Sequence, residues 1–276
     1  MKTYTRDQIL QRLRKKRSEG RLIIATGAGT GISAKFEEAG STDLILVFNS
    51  GRFRMDGLGS LAGLLAFGDA NEIALEMGER HILPAVHETP VICSVNGTDP
   101  TRELTTFLGR VETAGFSGVN NFPTVGLIDG NFRRALERIG LGYDKEISLI
   151  RLAHERGMFT MAYVFDERQA RAMAEAGCDA VIVHFGLTTG GSIGAEESIS
   201  IERAAETVSR ASEEIKKCGA SPFLLCHGGP IENVADLKRL TSMVHVDGFV
   251  GASSIERIPV EIAVRDATAE FSELKG

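Results

Sequence analysis

Two histidines close apolar runs, in "AVIVHF" and "FLLCHGGP", so His184 and His227 are each delivered by what reads as a buried strand. Imidazole exchanges protons near neutral pH and can also orient an oxyanion, which makes the two candidate general acid and base. Glycine follows closely in both places, and the loop after the next apolar run reads "GASSIER". Gly228, Gly229 and Gly251 permit close backbone approach, while Ser253 and Ser254 offer hydroxyl donors. Together these loops suit a small anion such as phosphate. The plainer alternative is that the glycines only make tight turns and the histidines only pack. Two histidines without a third matching ligand do not make a zinc site.

Further polar and glycine residues follow other apolar runs. They are Gly27 in "GAGTG", Asn96 and Asp99 in "NGTD", and Asn120, Asn121 and Thr124 in "NNFPTVG". Tyr163 in "YVFD" and Glu256 in "GASSIER" complete the set. Asp99 and Tyr163 join the histidines as candidate catalytic groups, although Asp99, just before Pro100, could equally cap a helix. The others are candidates for holding substrate or phosphate. Lys35 is the lysine nearest to such a strand end and lies beyond it, which disfavours Schiff-base chemistry. "GAGTGIS" lacks the third glycine of a dinucleotide fingerprint, and Phe48-Asn49 stands where an acidic residue would end the second strand.

The elements that must position these residues alternate along the whole chain. The strand candidates are Leu22–Thr26, Leu44–Phe48, Pro90–Val95, Gly118–Asn121, Phe159–Val164, Ala180–His184, Phe223–His227 and Val246–Val250. Continuous apolar runs of this length fit parallel strands covered by helices. Amphipathic stretches lie between them, including Thr101–Thr113, Glu167–Ala176, Ile201–Lys217 and Asn233–Val244, with a last helix over Pro259–Leu274. "EAGSTDLIL", "TAGFSGVNN" and "EAGCDAVIV" repeat one device, a helix closed by Ala-Gly before a strand. Eight strands with crossover segments predict an α/β (β/α)8 TIM barrel, with a doubly wound open sheet as the alternative. Residues 1–20 read as an extra N-terminal helix and 21–276 as one barrel domain. All the candidate residues then fall on one rim, at the C-terminal ends of the strands, where barrel chemistry gathers. The long connection 49–68 suits either a lid or a subunit contact.

Bulk properties narrow the partners. The 276 residues are 43% hydrophobic and 25% charged, with net charge -6, so no nucleic-acid partner is expected. The basic run Arg12–Arg17 reads as a solvated helix face. Cys93, Cys178, Cys218 and Cys226 lack metal or redox spacing, which fits a reducing compartment. Without an apolar signal core or an 18-residue apolar run, a soluble cytoplasmic protein with no membrane partner is expected.

Longer runs carry a family resemblance. "NNFPTVGLIDGNFRRALERIGLGY", "HFGLTTGGSIGA", "LLCHGGPI" and "GFVGASSIERIPVE" are similar to the phosphoenolpyruvate hydrolase-like, or phosphonopyruvate hydrolase-like, TIM-barrel family, from Arg21 to Phe271. "GISAKFEEAGSTDLILVFNSG" resembles the first βαβ unit of the wider phosphoenolpyruvate mutase and isocitrate lyase superfamily. The same module is similar to the C-terminal half of a plant virus-resistance protein. The resemblance implies a homo-oligomeric phosphoenolpyruvate/pyruvate-type barrel that cleaves a C–P or P–O bond of a small phosphonylated or phosphorylated keto acid. It also implies Mg2+ held by carboxylates. Where those enzymes end the third strand in Asp-Ala-Asp-Thr-Gly, this chain reads Ser94-Val95-Asn96-Gly97-Thr98-Asp99; where they carry Glu-Asp-Lys/Gln before Phe-Pro, it has Asn120-Asn121. Asparagine can coordinate through its carbonyl but brings no charge, whereas Mg2+ prefers anionic oxygens. Two alternatives therefore accompany the hydrolase reading: a non-catalytic barrel that binds a phosphometabolite or nucleotide, and a metal-independent isomerase or aldolase.

Overall fold

The computed structural model describes residues 3–275. Its eight strands are β1 (Ile23–Gly27), β2 (Leu44–Val47), β3 (Val91–Ser94), β4 (Gly118–Asn120), β5 (Phe159–Val164), β6 (Ala180–His184), β7 (Phe223–His227) and β8 (Gly248–Gly251). Each pairs in parallel with the next and β8 returns to β1, closing the barrel. The open-sheet alternative is thereby removed. The helices are α1 (Arg6–Ser18), α2 (Gly31–Ala39), α3 (Asn49–Met55), α4 (Ala70–Met77), α5 (Leu104–Ala114), α6 (Gly130–Arg138), α7 (Tyr143–Glu155), α8 (Glu167–Glu175), α9 (Ile201–Lys217), α10 (Val234–Met243) and α11 (Arg257–Ser272).

Strand alternation sorts the apolar side chains into a lumen and an outer shell. Ile23, Leu44, Ile92, Phe159 and Phe223 share one buried cluster with Ile9, Leu10 and Leu13 of α1. The N-terminal helix is thus a stopper in the barrel's lower end. Its basic run does more than face solvent. Lys16 meets Asp43 at 2.5 Å and Arg17 meets Asp247 at 3.6 Å, while Arg6 at the helix start binds Asp179 at 2.7 Å. Those acids directly precede β2, β8 and β6, so the stopper is keyed to the strand entrances. Two further clusters fill the outer shell, one around α8 to α10 and one around α4 and α5.

The last helix behaves differently. Of α11 only Arg257 is buried, while Val264 is 62% and Phe271 77% exposed. Between α11 and α2 an apolar groove of about 680 Å³ runs past Ile24 and Thr26 on the outer face of β1. No helix among the described residues is long and apolar enough to cross a membrane.

Candidate active site in the barrel mouth

β6 and β7 pair with His184 opposite His227, so the two rings meet at the upper rim, 4.8 Å between centroids and inclined by 70°. Their backbone partners fix different proton positions. The Gly186 N–H donates to Nδ1 of His184 at 3.0 Å, so that nitrogen keeps its lone pair and the proton of the neutral ring sits on Nε2. Nδ1 of His227 lies 2.7 Å from the Val250 carbonyl oxygen, which only accepts, so this ring carries its proton on Nδ1 and leaves Nε2 bare. One ring therefore offers a donor and the other an acceptor. Burial lowers both pKa values: His184 falls well below the ordinary value, helped by the neighbouring His227, and His227 falls to about 4.

The glycine corner after His227 explains itself here. Gly228 and Gly229 adopt positive φ of 74° and 56°, and Gly229 N–H donates to the Gly186 carbonyl at 3.0 Å. A Cβ on Gly228 would strike that same carbonyl, and one on Gly229 would come 2.6 Å from Cβ of Phe185. The close approach is to the loop that holds His184. The corner locks one histidine against the other, and neither glycine lines the mouth cavity, which corrects the expectation that they cradle an anion.

That cavity is small, about 50 Å³, enough for a few water molecules or a group of that size. His184, His227, Tyr163 and Ser253 line it, together with Phe48, Phe122, Ser50, Ser60, Thr188 and Arg54. The Tyr163 ring centroid is 5.3 Å from each imidazole, and burial pushes its pKa well up, so the phenol stays a donor. Among the described residues its hydroxyl has no hydrogen-bond partner. Arg54, from α3, is the charged residue of the lining. Its Nε donates to Glu256 at 2.9 Å and its Nη2 to both Glu256 and the Gly27 carbonyl, the latter at 2.7 Å. Nη1 makes no hydrogen bond to the described residues. Arg54 and Glu256 side chains are 2% and 1% exposed.

Several expected site residues serve other purposes. Glu256 is not a ligand donor: its second oxygen accepts the Gly29 N–H at 2.6 Å, so both oxygens are committed. Gly27 supplies its carbonyl to Arg54, and Gly251 leaves room for Ile255. Ser254 does not line the cavity. Asp99 is turned away into its own loop, accepting from Thr101 at 2.9 Å, Asn71 at 3.1 Å and Arg102 at 3.0 Å, beside Asn96 in a neighbouring cleft. It closes its own turn, whereas the following helix α5 is capped by Glu103. Asn121 spans to β5, accepting from Tyr163 N–H at 2.7 Å and donating to Glu146 at 2.6 Å. Glu146 also accepts the Val125 N–H at 2.9 Å, and burial raises its pKa to about 7. Thr124 caps the following turn through Gly126 N–H at 2.9 Å. Arg54, Ser50, Ser60 and Thr188 were missed by the sequence reading. The signal for Arg54 was an arginine inside the apolar, glycine-rich stretch 49–68.

Asn120 pairs with Ser94 across β3 and β4, inside the lumen. Both amide atoms of Asn120, the Ser94 hydroxyl and Oδ1 of Asn49 are buried without a partner among the described residues. Of these, Ser94 and Asn120 lie in the two stretches where the resemblance expects metal-binding carboxylates. Two buried acids at the strand ends, Glu256 and Glu146, are bound to Arg54 and Asn121. Among the described residues no three His, Cys, Asp or Glu side chains converge. The donor set does not suit Mg2+.

A closed eight-stranded barrel with a small polar mouth over the strand ends, two imidazoles and one guanidinium is the class of molecule that fold and geometry define. Within it, the chain belongs to the phosphoenolpyruvate hydrolase-like family, whose model matches residues 8–274. It is 50% identical over 272 residues to the ToMV resistance protein Tm-1(GCR237) of Solanum lycopersicum, covering 98% of this chain and 36% of that protein. The chain thus spans about a third of the length of that relative. Among solved structures it resembles phosphonopyruvate hydrolase in complex with oxalate and Mg2+ (TM-score 0.59, 19% identity, 96% of this chain and 87% of that one). It also resembles oxaloacetate acetylhydrolase (TM-score 0.62, 15% identity, 99% of this chain and 88% of that one). These likenesses concern the fold.

Proposed function

We propose that the protein is a hydrolase or lyase that cleaves a small 2-keto acid, or the enol phosphate of one, bound in the barrel mouth, with the phosphonopyruvate- or phosphoenolpyruvate-like acids as first substrates to test. The observation that carries this reading is the complementary proton placement on His184 and His227. In a hydrolysis, Nε2 of His227 takes a proton from water as the water oxygen attacks the departing phosphorus or acyl group. The electrons of the broken bond pass to the leaving fragment as an enolate, that of the keto acid when a C–P or P–O bond breaks and that of the released carboxylic acid when a C–C bond breaks. Its oxygen accepts hydrogen bonds from Tyr163 Oη and from Nε2–H of His184. The proton held by His227 then returns to carbon, so water is consumed and one C–H bond formed. Ser50, Ser60, Thr188 and Ser253 supply neutral hydrogen bonds, and Phe48 and Phe122 restrict water.

The test is turnover of phosphonopyruvate, phosphoenolpyruvate and oxaloacetate, followed by release of phosphate or by loss of the keto acid. His227→Asn, which retains a donor toward Val250 but no base, should lose at least 100-fold in kcat. Absence of turnover by a folded protein on all three acids would reject the enzymatic reading. A second reading, a barrel that binds such an acid without consuming it, is favoured by the 50% identity to a virus-resistance protein. It predicts a ligand-raised melting temperature without product.

The sequence expectation of a homo-oligomer has a natural surface in α11. A helix of this length packed only at its first turn needs further contacts to persist. The same chain carries both the exposed apolar face and the apolar groove beside it, so two copies related by a two-fold axis would cover both. We propose that this face meets a second copy.

A further inference from the structure

We propose that the mouth holds its anion without a divalent cation, with Nη1 of Arg54 as the sole cationic contact, and that the group it receives is one carboxylate. This rests on the reading of the mouth as a keto-acid site. Arg54 is the only charged side chain among those lining the cavity. Its Nε and Nη2 are tied to Glu256 and the Gly27 carbonyl, so the guanidinium is held rigidly while Nη1 remains uncommitted. Two of its three nitrogens are fixed by partners that do not line the cavity, which pre-organises the third without costing it a partner.

The strand ends beneath agree. A divalent cation needs anionic oxygens to offset its loss of water. Ser94, Asn120 and Asn49 present only hydroxyl and amide groups there, four of their atoms buried and unpaired among the described residues. Such neutral atoms can satisfy a substrate carbonyl or a water molecule. They cannot neutralise a doubly charged ion in a buried lumen. The charge inventory also bears on substrate. Arg54 is already balanced by Glu256, and both histidines are neutral by their hydrogen bonds, so the Arg54 nitrogen receives the carboxylate end of the acid rather than a doubly charged phosphoryl group. A single carboxylate beside a neutral carbonyl suits one guanidinium nitrogen with the Tyr163 hydroxyl and Nε2–H of His184 as neutral donors.

The experiment is calorimetric titration of the folded protein with pyruvate, oxalate and inorganic phosphate, each in excess EDTA and in millimolar MgCl2. Pyruvate should bind in EDTA with a Kd that Mg2+ changes less than about twofold, and more tightly than phosphate. Arg54→Lys keeps a charge for Glu256 but loses the fork, and should weaken pyruvate at least tenfold while the circular dichroism and melting remain native-like. Arg54→Met with Glu256→Gln, which leaves no buried unpaired charge, should abolish binding. An anion that binds only with Mg2+, or tenfold more tightly with it, overturns this inference and leaves the keto-acid reading standing. Tighter binding of phosphate than pyruvate in EDTA overturns the single-carboxylate assignment. If none of the three binds under either condition, the reading of the mouth itself fails, and this inference with it.

Discussion

The barrel mouth and the α2–α11 groove are opposites. The mouth encloses about 50 Å³, while the groove opens about 680 Å³ between Ile24, Phe36, Ile255 and Val260. In the mouth the two imidazoles and two of the three Arg54 nitrogens are held in fixed orientations. The groove is lined by two carboxylates, Glu256 and Glu37, and Glu37 binds Thr26 at 2.8 Å with one oxygen while the other is buried and unpaired among the described residues. Size therefore does not locate the chemistry; oriented donors and acceptors do. The mouth is built by strand ends, which the closed sheet holds rigid. The groove exists because the last helix leaves part of β1 uncovered.

The largest effect should come from breaking the pair that braces the mouth. Arg54→Met leaves Glu256 ionised and unpaired at 1% exposure, and loss of one partner of such a pair typically costs about 3–5 kcal/mol. Urea unfolding checks this, and a cost below about 1 kcal/mol would show that the pair is not what holds α3 over the mouth. The double change Arg54→Met with Glu256→Gln should recover most of the stability without recovering anion binding.

Acid should act next, and on the mouth. In the unfolded chain His227 titrates near 6.5, whereas in the fold it titrates at about 4. Between these values the unfolded chain binds a proton that the native state refuses. The contribution is complete above about pH 6.5 and drains away as pH falls toward 4, by about 3 kcal/mol. His227→Asn should flatten that slope in urea titrations across the window. Turnover should keep its base until close to pH 4, well below the limb of an ordinary histidine.

The groove carries the reverse sign. Burial raises the Glu37 pKa to about 7, against about 4.3 unfolded. Here the native state holds the extra proton, so stability is complete below about pH 4.3 and declines as pH rises to 7, by about 3–4 kcal/mol. Glu37→Gln lacks this decline, and its stability relative to the parent should improve by that amount between pH 4 and pH 8. Anion binding in the mouth should stay within twofold. A change in mouth affinity would mean that the two regions are coupled, through β1 or through Glu256, which lines the groove and braces Arg54.

The same contrast governs what could be read from the sequence. Strands came through because their signal is local: Phe159–Val164, Ala180–His184 and Phe223–His227 match the apolar runs residue for residue. His184 and His227 could be placed as neighbours because adjacent parallel strands ending in histidine leave no other arrangement. Arg54 could not, since its meaning depends on Glu256, 202 positions away in the chain. The glycines misled for a related reason. A positive φ at Gly228 says that something comes close, but only the fold shows that it is the Gly186 carbonyl rather than a ligand. Asp99 shows the limit from the other side: a carboxylate on the right rim was legible, yet Asn71 and Arg102, which occupy it, come from packing that no motif announces.

The smallest thermodynamic effect belongs to α11. Val264→Asp and Phe271→Asp replace side chains that touch little within their own chain, so monomer stability at low concentration should change by no more than about 0.5 kcal/mol. Sedimentation should respond instead. If this face meets a second copy, the parent protein runs as a dimer or larger at micromolar concentration and the double variant as a monomer of 29.7 kDa. An unchanged sedimentation coefficient would remove α11 from the interface. Because the mouth is completed by residues of one chain, kcat should persist in the monomeric variant, and its loss would show that the two regions depend on each other after all.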